Sequence, residues 1–381
     1  MLRLGALLLL APVALHAQDT LATQDTTPAS RPPGHGHVGL SYHDYGITIG
    51  NAARTNGLRI NFQDAGLERV NGINLTIWKP REPLSGTVNG LALGVAGPGA
   101  DYLNGIAIGL AGVVAERRAR WITVGGLGVV SNDRLDGIAV GGLGTVANGQ
   151  IRGVAIGGLG AVSNGDIRGV VIGGLGAVSN RDVTGVAIGG LGAVADRDVT
   201  GIAIGGLGAV ANRDLTGIAL SGLGTVANGN LTGIGMGGLA TVANGDAGGI
   251  TVAGLASVTN GSLTGVGIAG LATVVNGRLQ GIGVGGLAVV ADRDVRGIAL
   301  AGYRVDTPRL QGFSAALYLR TRDLHGVSIG AYNRVLGPQV GLTIGVYNSA
   351  RVLKGIQLGV LNRAQNNRGI FKLLPVLNAH L

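Results

Sequence analysis

One stretch of the chain has the residue order of a hydrolase active site. The sequence Gly-x-Ser-x-Gly occurs once, around Ser328, and His325 and Asp323 precede it closely. A nucleophilic serine of this type needs a sharp strand-to-helix turn. Ser328 instead stands at the third position of a repeat, where the next two units carry Thr343 and Gln357. We therefore interpret Ser328 as a structural residue.

A second candidate is the sequence Tyr42-His43-Asp44-Tyr45, in which a histidine could act as a base beside a carboxylate. Neighbours in a strand point to opposite faces, so a strand here would separate the two side chains. The Gly-x-Gly-x-x-Gly sequences at residues 233–238 and 281–286 lack a helical context. We expect no enzyme activity, no catalytic residues and no cofactor-binding residues.

A column of aspartates could bind calcium, because some repeat solenoids hold that ion between turns. Several units lack the acid, and arginine often precedes it as a counter-charge. We therefore predict no metal site and leave calcium as the open alternative. The column is Asp166, Asp182, Asp198, Asp214, Asp246 and Asp294.

The composition excludes several classes of protein. Of 381 residues, 74 are Gly, 3% are aromatic and 13% are charged, and the mean hydropathy is +0.41. Disordered chains have low hydrophobicity and high charge. Collagen needs Gly at every third residue and abundant Pro, but Pro is only 10 here. There is no Cys, which excludes disulfide scaffolds and Cys-based metal sites. The composition is typical of a repeat protein built from small residues.

The net charge is +9, and only Lys79, Lys354 and Lys372 among the 29 basic residues are not Arg. Most of the arginines are scattered through turns, with one cluster at Arg117, Arg118 and Arg120. Aromatic residues do not alternate with them, although single-strand binders stack bases on such rings. We expect solubilising charge and no nucleic-acid partner.

The N-terminus indicates export. Residues 1–17 have a short basic start, an apolar run and a small residue at position 17, which is the pattern of a signal peptide. Residues 18–38 are rich in Thr, Pro and Gly and predict a flexible linker. No later apolar run is long enough for a transmembrane helix. We expect a location in the periplasm or on the outer cell surface.

A pentad close to Gly-Ile-Ala-Ile-Gly recurs every 16 residues between Gly137 and Gly297. Less regular units extend it to about twenty repeats. We number the unit 201–216, GIAIGGLGAVANRDLT, as positions 1 to 16. It contains a strand, a Gly-Gly corner, a second strand and a polar turn.

Two architectures fit this unit: an antiparallel hairpin meander and a parallel β-solenoid. In a meander, strict alternation would place Ile202 and Ile204 on one face and Leu207 and Leu215 on the other, leaving no polar face. We therefore predict an all-β parallel solenoid of about twenty coils of 14–16 residues, with two short strands in each coil. The large apolar residues at positions 2, 4, 7, 10 and 15 should point inward. Positions 1, 3, 8 and 11, mostly Gly, Ala or Ser, should form smooth outer faces.

Smooth faces leave two alternatives open, which are self-association or contact with envelope components on one side and simple exposure on the other. The regular solenoid is expected over residues 90–300. Residues 39–89 should form irregular N-terminal repeats that close one end. Residues 301–381 should contain repeats of 14–15 residues and a C-terminal cap that hides the open sheet edge.

The run GIQLGVLNRAQNNRGI at residues 355–370, the ending LLPVLNAHL and the long Gly-rich array resemble a family of bacterial surface repeat-containing proteins. The pentads also resemble the head repeats of trimeric adhesins, which build a parallel β-roll. The resemblance implies a cell-surface or envelope location and carries no binding residues with it.

These observations predict an exported, non-catalytic solenoid that acts as a rigid structural or interaction protein of the cell envelope. The main alternative is an outer-membrane β-barrel, suggested by the high hydropathy and the two-strand period. A lower-ranked alternative is a crystal-binding face built on the Thr residues at position 16.

Overall fold

The computed structural model describes residues 36–380, and the predicted signal peptide at residues 1–17 lies outside them. Residues Gly34–Leu381 form one compact unit. The protein is all-β, with 72% of its residues in strands, and it forms a parallel β-solenoid of about 18 turns. The predicted fold class is thereby confirmed. At ~4.8 Å per turn, this unit extends about 86 Å along its axis.

The strands of the N-terminal coils vary in length: β1(His37–Tyr42), β2(Tyr45–Gly50), β3(Arg54–Asn61), β4(Arg69–Thr76), β5(Thr87–Gly94), β6(Gly99–Gly109) and β7(Gly112–Gly125). In the regular coils a four-residue strand alternates with one of seven or eight residues: β8(Gly128–Ser131), β9(Arg134–Gly141), β10(Gly144–Ala147), β11(Ile151–Gly157), β12(Gly160–Ser163), β13(Ile167–Gly173), β14(Gly176–Ser179), β15(Val183–Gly189), β16(Gly192–Ala195), β17(Val199–Gly205), β18(Gly208–Ala211), β19(Leu215–Ser221), β20(Gly224–Ala227), β21(Leu231–Gly237), β22(Ala240–Ala243), β23(Ala247–Ala253), β24(Ala256–Thr259), β25(Leu263–Ala269), β26(Ala272–Val275), β27(Arg278–Gly285), β28(Ala288–Ala291) and β29(Asp294–Ala301). The C-terminal coils have longer strands: β30(Arg304–Ala315), β31(Tyr318–Ile329), β32(Tyr332–Ala364) and β33(Leu373–His380), with a 3-10 helix at Gly369–Lys372.

Equivalent strands of successive coils pair in parallel and in register. The long strand β17 pairs with β19, so that Gly201 lies opposite Gly217, and the short strand β18 pairs with β20. Each regular coil therefore contributes one strand to a long-strand sheet and one to a short-strand sheet. A shift of 16 residues places each position above its counterpart, which explains why the sequence period is unbroken.

Both ends of the parallel array carry an antiparallel strand. At the N-terminal end β1 and β2 form a hairpin, and β2 then pairs in parallel with β3. At the C-terminal end β33 runs antiparallel to the last part of β32. The residues of β1 are all exposed.

The predicted interior was wrong at four of its five positions. In the unit 201–216 only Leu215 is buried as predicted, whereas Ile202, Ile204, Leu207 and Val210 are half-buried or exposed. The interior is formed instead by small residues at positions 3, 9 and 11, which were predicted to face outward. These are Ala203, Ala209 and Ala211, each at most 1% exposed.

Simple strand alternation explains this arrangement. Residues 199, 201, 203 and 205 point inward, and residues 200, 202 and 204 point outward. A two-stranded coil of 16 residues encloses little volume. At Gly235, an inward position 3, even a methyl group would lie 2.7 Å from a methyl carbon of Leu231. Large side chains are therefore pushed to the outer surface, because the interior is already filled by Ala and one Leu per coil.

Glycine is required at position 1 for two reasons. The column has positive φ in every regular coil, for example +129° at Gly201, where L-residues are strained. A Cβ there would also lie 2.1 Å from the carbonyl oxygen of Gly185 in the preceding coil. Trp121 is the exception in this column, with φ of 82°. The repeated glycine thus allows each coil to approach its neighbour closely.

Candidate interaction surface

An exposed stripe of leucines is the most continuous feature of the regular coils. Position 7 lies at the corner between the long and the short strand, and eleven successive coils carry Leu there. Their exposed fractions are 41–57%, and Leu207 is 47% exposed. The corner backbone is held between coils, since the Leu207 N–H donates to the carbonyl of Leu191 at 2.7 Å. The leucine stripe is Leu127, Leu143, Leu159, Leu175, Leu191, Leu207, Leu223, Leu239, Leu255, Leu271 and Leu287.

Aliphatic residues at positions 2 and 4 widen the leucine stripe into a face. Examples with substantial exposure are Ile138 at 45%, Ile250 at 40% and Met236 at 40%. Ten steps of ~4.8 Å and a width of about 20 Å give an area of about 1,000 Å². The largest apolar patch on a typical monomer is roughly 300–600 Å², and larger patches mark interaction sites. We call this surface, positions 2, 4 and 7 of the regular coils, the aliphatic face.

The stripe continues beyond the regular coils in both directions. Leu110 and Val95 occupy the corners before it and are 70% and 57% exposed. Further along the same edge, Phe62 and Trp78 stack with ring centroids 6.4 Å apart. After the regular array, Leu317 is 57% exposed. The apolar character of this edge therefore extends well past the 16-residue repeats.

The residues of the Gly-x-Ser-x-Gly motif are not brought together. Ser328 is 1% exposed, and its hydroxyl is hydrogen-bonded to Ser314 and Asn333 inside the coil. His325 is exposed on the outer surface. Asp323 forms an ion pair with Arg309 at 3.6 Å. Ser328 thus belongs to a ladder of buried polar residues.

The second candidate pair lies in a turn and not in a strand, which corrects the geometry assumed from the sequence. His43 and Asp44 connect β1 and β2, with φ of 51° and 66°. Positive φ at both central residues is the geometry of a tight hairpin turn. The imidazole of His43 packs edge-on against Tyr42, with centroids 4.2 Å apart.

The aspartate column stabilises the turns between coils. The Asp214 carboxylate accepts a hydrogen bond from the backbone N–H of Asn230 at 2.7 Å. Arginines of the following coil also contact the column, as Arg213 does with Asp198 at 3.2 Å. Within residues 36–380, no group of three or more His, Asp or Glu side chains is arranged to hold a metal ion.

The asparagines at position 12 form an exposed ladder in which each amide donates to the Oδ1 atom of the preceding coil. The bond from Asn164 to Asn148 is 3.1 Å. Asp196 begins a new segment, because it accepts from Asn212 at 3.2 Å but has no N–H to donate.

A buried polar cluster in the N-terminal coils escaped the sequence analysis. The Arg59 side chain is fully buried and forms an ion pair with Asp64 at 2.6 Å. Its guanidinium also donates to Asn74 at 2.8 Å and to the carbonyl of Ala52 at 3.1 Å. Asn61 completes the set by donating to Asp64. Repeated Asn residues in β3 and β4 were the available signal, but an interior arginine is too rare to expect.

The arginine cluster noted in the sequence is partly neutralised. Arg118 pairs with Asp136 at 2.5 Å. Arg117 donates to the Tyr102 hydroxyl at 3.4 Å, and this hydrogen bond, with Asp101 nearby, raises the pKa of Arg117.

Comparison of the chain with protein-family models, curated proteins and solved structures found no match. Across residues 36–380 there is no helix long and apolar enough to cross a membrane. A parallel β-solenoid of this kind is consistent with a structural or interaction protein.

Proposed function

We propose that the protein is an exported, non-catalytic solenoid of the bacterial cell envelope that packs side by side with a second copy through its aliphatic face. The observation that carries this proposal is the leucine stripe, which repeats without interruption from Leu127 to Leu287. Leaving such a large apolar surface in water is unfavourable, whereas covering it is favoured by roughly 25 cal/mol per Å².

A second copy is the occupant that best matches this surface. Its leucines have the same spacing of ~4.8 Å, so the side chains of the two stripes can interdigitate along their whole length. Standard protein interfaces bury about 800 Å² on each partner, and the aliphatic face supplies about 1,000 Å². An interface of this kind uses one surface on both partners, as two-fold homodimers do.

Export and envelope location rest on the sequence. The basic start, apolar run and small residue of residues 1–17 support cleavage after Ala17. The likeness to surface repeat proteins points to the same compartment. The absence of a catalytic role is supported by the arrangement of the candidate residues, since Ser328 is buried and His325 is exposed.

One preparation tests export and self-association together. The full chain is expressed in a Gram-negative bacterium and recovered from the envelope and periplasmic fractions without detergent. Intact mass should show that the mature chain begins at Gln18, and sedimentation velocity should show a dimer at micromolar concentration. An uncleaved cytosolic chain would overturn the export proposal, and a monomer at ~100 µM would overturn the side-by-side packing.

A matched pair of variants localises the interface. Changing Leu191, Leu207 and Leu223 to Gln should weaken dimerisation at least tenfold, because three consecutive leucines leave the stripe. Changing Thr184, Thr200 and Thr216 to Gln alters exposed positions in the same three coils and should leave the dimer intact. Equal loss in both variants would contradict the assignment of the face.

A further inference from the structure

The net charge is concentrated at the C-terminal end of the chain. Residues 301–381 contain ten Lys and Arg but only two acidic residues, so they carry +8 of the total +9. Both acids are occupied by arginines. Asp306 pairs with Arg304, and Asp323 pairs with Arg309 at 3.6 Å. The remaining basic side chains of this region are therefore available to an external anion.

Two outward columns of the short-strand sheet change their chemistry in this region. In the regular coils, position 8 is Gly or Ala and position 10 is Val. Parallel pairing aligns Ala288 with Arg304, then Tyr318, then Tyr332. The same pairing aligns Val290 with Asp306, then Arg320, then Arg334. A bare surface thus becomes a row of tyrosines beside a row that is mainly arginine.

The tyrosine row is a continuous stack. The ring centroids of Tyr318 and Tyr332 are 5.3 Å apart, and those of Tyr332 and Tyr347 are 4.9 Å apart, with planes within 23° of parallel. The Arg304 guanidinium lies 5.9 Å from the centroid of Tyr318 and covers the start of the stack. Both faces of Tyr332 are covered by neighbouring rings, so its edge and phenol hydroxyl are what a ligand can reach.

The arginine row has no internal counter-charge. Arg320 and Arg334 are exposed and lie in register on adjacent coils, where like charges repel. Buried amides set the next coils, since Asn348 donates to Asn362 at 2.7 Å. Arg363 follows Asn362 and continues the row. None of the ion pairs found within residues 36–380 involves Arg320, Arg334 or Arg363.

The two rows end at an open groove of about 580 Å³, lined by Tyr347, Leu361, Arg363, Gln365, Lys372 and Leu373. It lies on the outer surface of the last coils, against the 3-10 helix and the start of β33. Two more cationic groups, Arg363 and Lys372, therefore converge where the tyrosine stack stops.

We propose that the Tyr–Arg ladder, formed by Tyr318, Tyr332, Tyr347, Arg320, Arg334 and Arg363, binds an extended acidic polysaccharide along the solenoid axis. Arginine forks recognise carboxylate or sulfate groups in a bidentate manner. The adjacent phenol groups can exchange hydrogen bonds with sugar hydroxyls. The proposal concerns a different surface from the aliphatic face and does not rest on the proposed dimer.

A polysaccharide suits this surface better than a nucleic acid does. Single-strand binders stack bases on accessible aromatic faces, whereas the faces of Tyr332 are already covered. The rows are linear and repeat at ~4.8 Å over several coils, which matches a polymer with regularly spaced acid groups rather than a single head group.

The experiment measures binding of the full mature chain to alginate, a polyuronate, with neutral dextran as the uncharged comparison. Isothermal titration calorimetry should show alginate binding that weakens as salt is raised, and no binding to dextran. Changing Arg320, Arg334 and Arg363 to Gln should lower the affinity at least tenfold. Changing Tyr332 and Tyr347 to Phe keeps the rings and should lower it severalfold through loss of the hydroxyls.

The control variant removes the same charge elsewhere. Arg181, Arg197 and Arg213 lie in turns of the regular coils, and their change to Gln should alter alginate affinity less than twofold. Equal losses in the two triple variants would show that binding follows net charge, and this result would overturn the ladder. Absence of alginate binding would overturn it too. Tighter binding of oligo(dT) or of anionic lipid vesicles at the same residues would replace the polysaccharide with that partner.

Discussion

Two adjacent glycines in β23 provide a direct test of how the coils approach one another. Gly249 lies at position 1, with φ of +117°, and a Cβ there would lie 2.2 Å from the carbonyl oxygen of Gly233. Gly248 lies at position 16 and points outward, and a Cβ there would have no atom within 4 Å. The two residues share a strand, a coil and the same sequence neighbours, so the variants G249A and G248A differ only in this geometry.

The expected effects have opposite signs. A non-Gly residue held at such a φ costs about 1–3 kcal/mol. Moving the backbone away from Gly233 also weakens at least one inter-coil hydrogen bond, worth about 1 kcal/mol. We therefore expect Gly249→Ala to cost about 3 kcal/mol. Gly248→Ala should stabilise by about 0.5–1 kcal/mol, because alanine loses less backbone entropy in a strand.

The assay is native-state hydrogen exchange followed by mass spectrometry. Contacts in a solenoid are mostly between neighbouring coils, so the loss should be confined to the strands around β23. A cost of 3 kcal/mol corresponds to about 150-fold lower protection there. If G249A and G248A change protection by the same factor, the inferred role of the position 1 column is wrong.

Two further predictions concern polar groups between coils. Asp196→Asn supplies the missing amide donor to Asn180 and should stabilise by about 0.5–1 kcal/mol, whereas Asp196→Ala removes the acceptor of Asn212 and should destabilise, with guanidinium midpoints as the measurement. Effects of the same sign would contradict a continuous ladder. Asp64→Asn leaves the charge of Arg59 buried without a counter-ion and should cost about 3–5 kcal/mol, measured by exchange in β3 and β4. A loss below about 1 kcal/mol would show that water reaches this cluster.

The period of the sequence was sufficient to predict the solenoid, because in-register parallel pairing requires each position to recur at the same spacing. The prediction of the interior failed at Ile202 and Ile204 for a specific reason. We assumed that the largest apolar residues fill the core, as in most globular proteins. In a coil this narrow the volume available at Ala203 decides instead, and simple alternation from the buried Leu215 would have given the correct faces.

The candidate surfaces were predictable to different degrees. The leucine column was visible in the sequence but was assigned to the core. The tyrosines at 332 and 347 were noted only as bulk near the C-terminus, because recognising a ladder requires knowing that Tyr318, Tyr332 and Tyr347 lie on adjacent coils. Repeats of 14 or 15 residues hide this alignment from a search at a fixed period of 16. The Arg59 cluster depends on contacts 5–15 residues apart and had no periodic signature.

Strict alternation was initially disfavoured because it left the regular coils without a polar outer face. The structure adopts alternation nonetheless, and the missing polar face becomes the main functional clue. Polar side chains are concentrated in the turns at positions 12 to 14 and at position 16, which leaves positions 2, 4 and 7 aliphatic over eleven coils. Solubility alone would favour polar residues at such exposed corners. A repeat that places Leu at every one of them, while it fits Ala into the interior, indicates that this edge is covered in the working form of the protein.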